Sequence, residues 1–111
     1  MQKDNYVFLQ HILESIELIQ KHTKGLKQAE FSASWPLVDA SIRRIEIIGE
    51  AANKISPDFK SKHKNIPWRD IIGMRNVLIH EYFDIDETEV WKTIKNDLPK
   101  LKKLIKKIYE N

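Results

Sequence analysis

Apolar residues recur at steps of three and four along most of this chain, and no segment alternates with a period of two. That pattern predicts helices and no sheet. Tyr6, Leu9, Leu13, Ile16 and Ile19 share one helix face, over about residues 4–22, and the polar stretch around Gly25 ends the segment. A second helix starts near Ser34, a suitable N-cap. Pro36 follows in the first turn, where no amide donor is needed. Leu37, Ser41, Ile45, Ile48, Ala52 and Ile55 form its inward stripe, and Ser56-Pro57 stops it. A polar stripe on the same helix, Asp39, Arg43, Glu46, Glu50 and Lys54, can pair opposite charges. Residues 57–66 are polar and read as irregular, with room for one short turn. A third helix begins at Pro67 and is expected to carry the chain through residues 75–83. A fourth is capped by Asp84-Ile85-Asp86 and runs from about Asp86 to Tyr109, with Val90, Trp91, Ile94, Leu98, Leu101, Ile105 and Ile108 inward. Pro99 removes one backbone bond in that helix and predicts a kink near Lys95. The expected fold is all-α, an antiparallel bundle of about four main helices in a single domain over residues 1–111.

The third helix is apolar around most of its circumference. Ile71, Met74 and Leu78 fall on one face, and Trp68, Ile72, Arg75, Ile79 and Tyr82 on another. One face can meet the bundle and the other a second copy of the chain, so a homodimer is expected. The three tryptophans read as core or interface anchors.

Composition narrows the chemistry. There is no cysteine, which excludes disulfides, thiolate metal sites and a cysteine nucleophile, and suits a reducing, cytoplasmic setting. The first residues do not resemble a secretory signal, and no apolar run is long enough to span a bilayer. No carboxylate–histidine pattern suggests a metal and no glycine-rich loop a nucleotide cofactor, so neither is expected. Net charge is +3, with an uneven distribution: residues 92–111 hold seven lysines against Asp97 and Glu110. Such a tail can bind phosphate or simply be the solvated face of a helix.

The stretch RNVLIHEYF at residues 75–83 places a permanent cation and a titratable ring inside an apolar run, where unpaired charge is costly to bury. Arg75 and His80 start about 140° apart on a straight helix. They converge if the helix ends near His80, if the arginine bends round, or if a symmetry-related chain supplies its own copy. Asn76 lies one turn before His80 and can orient the imidazole. Arginine and histidine together fit metal-independent phosphodiester cleavage. The histidine moves a proton at the ribose 2′-hydroxyl or at the leaving oxygen, and the guanidinium holds the phosphate. The same residues also fit a structural role, with Glu46 or Glu50 neutralising Arg75. His11, His22 and His63 read as ordinary surface residues.

RNVLIHEY is R-x4-H-x-Y with a polar residue after the arginine. It resembles the signature of the HEPN superfamily, and the added tyrosine resembles its HepT branch, the toxins of two-gene toxin–antitoxin systems. SIRRIEIIGEAANKIS, IPWRDIIGMRN and the later spacing of Trp91, Leu98, Pro99 and Leu101 are similar to that family as well. The resemblance implies a homodimeric helical bundle with a composite site between protomers. It implies metal-independent RNA cleavage by Arg75 and His80, with Asn76 as the polar accessory. It also implies a partner, an MntA-like nucleotidyltransferase antitoxin that transfers AMP from ATP onto Tyr82. A non-catalytic helical dimer acting as an adaptor for such a nucleotidyltransferase is the alternative.

Overall fold

The computed structural model describes residues 2–81 and 84–110, with residues 2, 3, 77, 79–81 and 84 described by backbone alone. Helices carry nearly all of it. They are α1 (Gln2–Thr23), α2 (Gln28–Ala33), α3 (Trp35–Lys54), α4 (Pro57–Lys62) and α5 (Trp68–Leu78). After a hairpin of β1 (Ile79–Glu81) and β2 (Asp84–Ile85) come α6 (Glu87–Lys92), a π turn over Thr93–Asp97 and α7 (Leu98–Glu110). No helix among the described residues is long and apolar enough to cross a membrane.

α3 is the central helix. It packs against α1 on one side and α5 on the other, and also touches α2 and α6. Its predicted stripe is buried at Ser41, Ile45, Ile48, Ala52 and Ile55, but Val38, Ile42, Gly49 and Ala51 are buried too. A helix covered on several sides needs more than one apolar stripe. Leu9, Ile12, Leu13, Ile16 and Ile19 of α1, Ile71 and Leu78 of α5, and Ile94, Leu98, Leu101 and Ile105 after them complete one continuous core. α7 runs back along α1. Lys102 Nζ meets Gln20 Oε1 at 3.1 Å, and Tyr109 donates its hydroxyl to the Tyr6 carbonyl at 3.3 Å. Burial, and then the neighbouring Tyr6, push the Tyr109 hydroxyl above its ordinary pKa.

Local chemistry accounts for most boundaries. Gly25 takes φ +80°, the left-handed turn that ends α1. Ser56 caps α4 through Oγ, which accepts from the Phe59 amide at 3.2 Å, and Pro57 follows it. The Asp86 carboxylate accepts from the Glu89 amide at 3.1 Å and starts α6. Pro99 cannot donate to Lys95, and its ring crowds that carbonyl. The helix widens into the π turn just before it, with the Leu98 amide bonded to the Thr93 carbonyl.

Two features differ from the sequence expectation. First, α5 does not extend through residue 83. It ends at Leu78, whose carbonyl accepts the Asp86 amide at 2.9 Å, and the chain turns into the short antiparallel hairpin. β1 and β2 pair Ile79 with Ile85 and Glu81 with Asp84, with a one-residue slip between the pairs. The prediction of no sheet is corrected to this extent: β-branched Ile79 and Ile85 suit extended backbone, and the cap at Asp86 requires the chain to leave the helical path beforehand. Second, the polar region after Gly25 holds α2, seated by buried Phe31 and by the Lys27 amide on Glu30 Oε1 at 2.8 Å.

Candidate active site on the α3–α5 face

The helix pair α3–α5 positions the candidate residues. Gly49 makes the close approach possible: a β-carbon there would lie 3.3 Å from the carbonyl oxygens of both Ile71 and Ile72. With no side chain in the way, the carboxylates of α3 come within reach of α5. Arg75 Nε lies 3.1 Å from Glu46 Oε2. Glu46 and not Glu50 is therefore the partner of Arg75, the polar stripe of α3 having left both open. The two side chains are 52% and 35% exposed, so water screens the pair and it adds at most about 1 kcal/mol to stability.

Arg75 is not sealed in the interior. With Asn76, Ile72, Glu46, Gly49, Glu50 and Asn53 it lines a shallow concavity of about 230 Å³. Anchoring at Nε leaves the outer edge of the guanidinium, with its paired terminal N–H groups, as a fork for an incoming oxyanion. Asn76 is exposed beside it. His80 stands in β1, beyond the end of α5, so the straight-helix separation from Arg75 no longer applies. The hairpin follows α5 directly and brings the His80 backbone to the same end of the helix. The His80 side chain and the whole of Tyr82 lie outside the described residues. Among the described residues no group of three or more His, Asp or Glu side chains is placed to hold a metal ion.

The remaining expectations sort by burial. His11 and His22 are exposed, but His63 is half-buried and stacks on Phe59 with ring centroids 4.4 Å apart, which corrects its reading as a surface residue. Trp68 is buried, Trp91 packs against Phe31 at 5.2 Å, and Trp35 remains 55% exposed. Sequence reasoning passed over Gly49 as a packing residue and over Asn5. Asn5 is buried, donates to Ser56 Oγ at 3.1 Å and accepts the Ser56 amide at 3.0 Å, tying α1 to the start of α4. A single polar residue near the start of a helix carries no periodic signal that would reveal it.

A helical protein that presents an arginine and an asparagine in an open concavity, just ahead of a histidine-bearing hairpin, has the makings of a phosphodiester-handling site. The chain belongs to the HepT-like ribonuclease family, whose pattern it matches over residues 12–108. It is 48% identical over 110 residues to a Methanocaldococcus jannaschii protein named as both a gamma-glutamylcyclotransferase and a candidate RNase. The match covers 99% of this chain and 50% of that protein, so this chain spans about half of its length. It is 42% identical over 108 residues to the probable ribonuclease HepT of Thermococcus cleftensis, covering 97% of this chain and 98% of that one. A candidate RNase of Caldanaerobacter subterraneus subsp. tengcongensis is 39% identical over 103 residues, covering 93% and 92%. No solved structure gives a significant match.

Proposed function

We propose that this chain is a metal-independent endoribonuclease and the toxin of a type VII, HepT/MntA-like toxin–antitoxin pair. Family membership supports the ribonuclease reading, and the observation that carries it to particular residues is the half-exposed Arg75 at the mouth of a concavity shared with Asn76. On this reading the neutral His80 imidazole takes the proton of a ribose 2′-hydroxyl. The 2′-oxygen attacks the adjacent phosphorus, and Arg75 stabilises the charge that builds on the phosphoryl oxygens. A protonated His80 from a second copy gives its proton to the departing 5′-oxygen. The products are a 2′,3′-cyclic phosphate and a free 5′-hydroxyl, and DNA, lacking the 2′-hydroxyl, is not cut. Asn76 orients the imidazole.

The proposal includes a homodimer with the site at the protomer boundary, a single HepT-like domain and a cytoplasmic setting. It also includes neutralisation by a nucleotidyltransferase antitoxin that adenylylates Tyr82. AMP on that tyrosine would place a bulky anion beside Arg75 and His80, where substrate phosphate must sit. Incubating the purified protein with total RNA tests the core of the proposal. Fragments with cyclic-phosphate ends that vanish in His80→Ala support it, and equal cleavage by that variant refutes it. An intact mass after co-expression with the neighbouring antitoxin tests the regulation, with increments of AMP expected and their loss in Tyr82→Phe.

One observation favours a second reading. Glu46 already satisfies Arg75, as a structural ion pair would. If the chain is a non-catalytic adaptor for a nucleotidyltransferase, RNA survives at any protein concentration and Arg75→Ala alters only partner binding.

A further inference from the structure

Among the described residues the concavity around Arg75 sets two carboxylates, Glu46 and Glu50, against one guanidinium. Its local charge is negative, so it can orient a phosphate but cannot by itself draw in a polyanion. If the chain acts on RNA, as proposed above, the affinity must come from another surface. The cavity of about 700 Å³ on the other side of α5 does not supply it: Asp70, Glu89 and Asp97 offset Arg69 and Lys100 there.

The last turn of α1 is different. On the α7 side of it a cavity of about 310 Å³ is lined by Gln20, Thr23, Lys24, Gly25, Ile94, Lys95 and Pro99. On the α3 side a cavity of about 150 Å³ is lined by His22, Arg44 and uncharged residues, among them Ser41 and Leu37. Among the described residues neither lining contains an acid. Of the acids on the surrounding elements, Glu17 pairs with Lys102, Glu89 with Lys92, Glu30 accepts the Lys27 amide, and Asp97 lines the cavity of about 700 Å³. Among the described residues, no carboxylate lies within ion-pair distance of Lys24, Arg44 or Lys95. Lys95 Nζ instead sits 4.6 Å from the centre of the Trp91 ring, a cation–π contact that attracts the ammonium without cancelling its charge. A lysine or histidine near a helix end is often only a complement to the helix dipole. That account covers Lys21, His22 and Lys24 but not Arg44 and Lys95, which arrive from two other elements. Gly25 at φ +80° keeps the rim low, with open space where a side chain would stand. The ridge also lies at the working end of the bundle. α2 follows it in the chain, and Gln28 Nε2 meets Thr88 Oγ1 at 3.3 Å, in the first turn of the helix that the His80 hairpin feeds.

We infer that the end of α1, with the two acid-free cavities beside it, is an exosite for the phosphodiester backbone of RNA, in which Lys24, Lys95 and Arg44 neutralise successive phosphates. This inference rests on the ribonuclease reading for its ligand, but it is tested by binding alone. The probe is a fluorescent single-stranded 2′-O-methyl RNA of about 20 nucleotides, which lacks the internal nucleophile and cannot be cut by the mechanism above. The variant Lys24→Gln/Arg44→Gln/Lys95→Gln is compared with Lys60→Gln/Lys62→Gln/Lys64→Gln. The second set has the same charge change at the opposite end, where Asn5 ties α1 to α4. Circular dichroism confirms that both remain helical.

The exosite set is expected to bind at least about tenfold more weakly at 100 mM salt and to lose about 2 units from the slope of log affinity against log salt, at roughly 0.7 per phosphate contact. The control set is expected to lose little of either. Equal losses in both sets overturn the exosite in favour of net charge alone. Unchanged binding in the exosite set, or no binding by the unmodified protein, also overturns it and leaves the ridge as a surface for an acidic protein. Lysine-dependent binding by a protein that cleaves no RNA would sink the nuclease and keep the exosite.

Discussion

Helix α5 has a cavity on each side, and the two differ in a way that separates size from chemistry. The larger, about 700 Å³, lies towards α6 and α7 and is lined by Ile71, Met74, Leu101 and Leu104, with charged residues of both signs. The smaller, about 230 Å³, lies towards α3 and holds Arg75, Asn76, Glu46 and Glu50. Volume alone would favour the first as a site. Among the described residues its lining holds no histidine and no tyrosine, and neither Arg75 nor Asn76. The second is shallow, yet it presents an arginine held at one edge and open at the other. In a small bundle the deep grooves follow from helix spacing, whereas chemistry needs a charged group kept near solvent by one fixed contact.

The sharpest way to break that comparison is to injure each side in turn. Arg75→Ala and His80→Ala are each expected to lower the RNA cleavage rate by about a thousandfold, within the range for loss of a proton carrier or an oxyanion-stabilising group. The thermal midpoint of Arg75→Ala should hardly move, because the Arg75–Glu46 pair is half in water. Met74→Ser and Leu104→Asn, on the other side, should leave cleavage within about threefold of the parent while costing about 1–2 kcal/mol of stability. If the second pair abolished cleavage at unchanged stability, the larger cavity would be the working one.

Gly49→Ala comes next in size. The added methyl meets two backbone carbonyls of α5 at once, and a helix cannot bend both away as a flexible side chain would. α3 and α5 must separate by a few tenths of an ångström. The packing cost should exceed the gain in helix propensity, for a net loss of about 1 kcal/mol. Cleavage should fall further than stability explains, because Glu46 stands one turn from Gly49 and its grip on Arg75 depends on the same approach. A denaturant titration set beside a single-turnover rate measures both, and a variant with full activity would show that the helix spacing does not position Arg75.

Much of this arrangement can be read from the sequence, and the part that cannot has a physical reason. Three-and-four periodicity locates α1, α3 and the long helix around Pro99, and the polar stripe on α3 puts Glu46 and Glu50 forward as partners for Arg75. The end of α5 is another matter. Leu78, Ile79 and Tyr82 keep the helical spacing, so the pattern runs on where the backbone does not. The connection between β1 and β2 has none of the Gly, Asn or Pro that announces a hairpin. Only the Asp84-Ile85-Asp86 cap hints that the helix has already stopped. α2 is too short for a periodic signal. The close approach at Gly49 belongs to tertiary packing, and one glycine in an apolar helix does not declare it.

Glu46→Gln sharpens the comparison at the level of one ion pair. The amide keeps an oxygen that can accept from Arg75 Nε but loses the charge. Stability should change by less than about 1 kcal/mol, since the pair is screened. Two effects on cleavage oppose each other: a less rigid guanidinium, and a less negative concavity that repels phosphate less. If anchoring dominates, kcat falls by about tenfold with little change in KM; if repulsion dominates, KM falls and kcat holds. Because Arg75 has its outer edge free and Nε fixed, the expectation is a fall in kcat. A lower KM with unchanged kcat would make Glu46 a brake and not a support.

The smallest effect concerns the other glycine of this helix pair. Gly73 lies in α5 and lines the larger cavity, and a β-carbon there meets nothing within 4 Å. Gly73→Ala therefore carries no packing cost, and it removes the conformational freedom that a helical glycine gives the unfolded chain. Stability should rise by about 0.5–1 kcal/mol, with cleavage unchanged, in direct contrast to Gly49→Ala. The same one-methyl change thus takes opposite signs on the two sides of α5. A chemical denaturation curve for each variant reads the pair. If Gly73→Ala also destabilised the protein, the space beside it would have to be filled in the functional state. A second copy or a partner would then occupy the larger cavity, and the division of labour between the two sides of α5 would have to be redrawn.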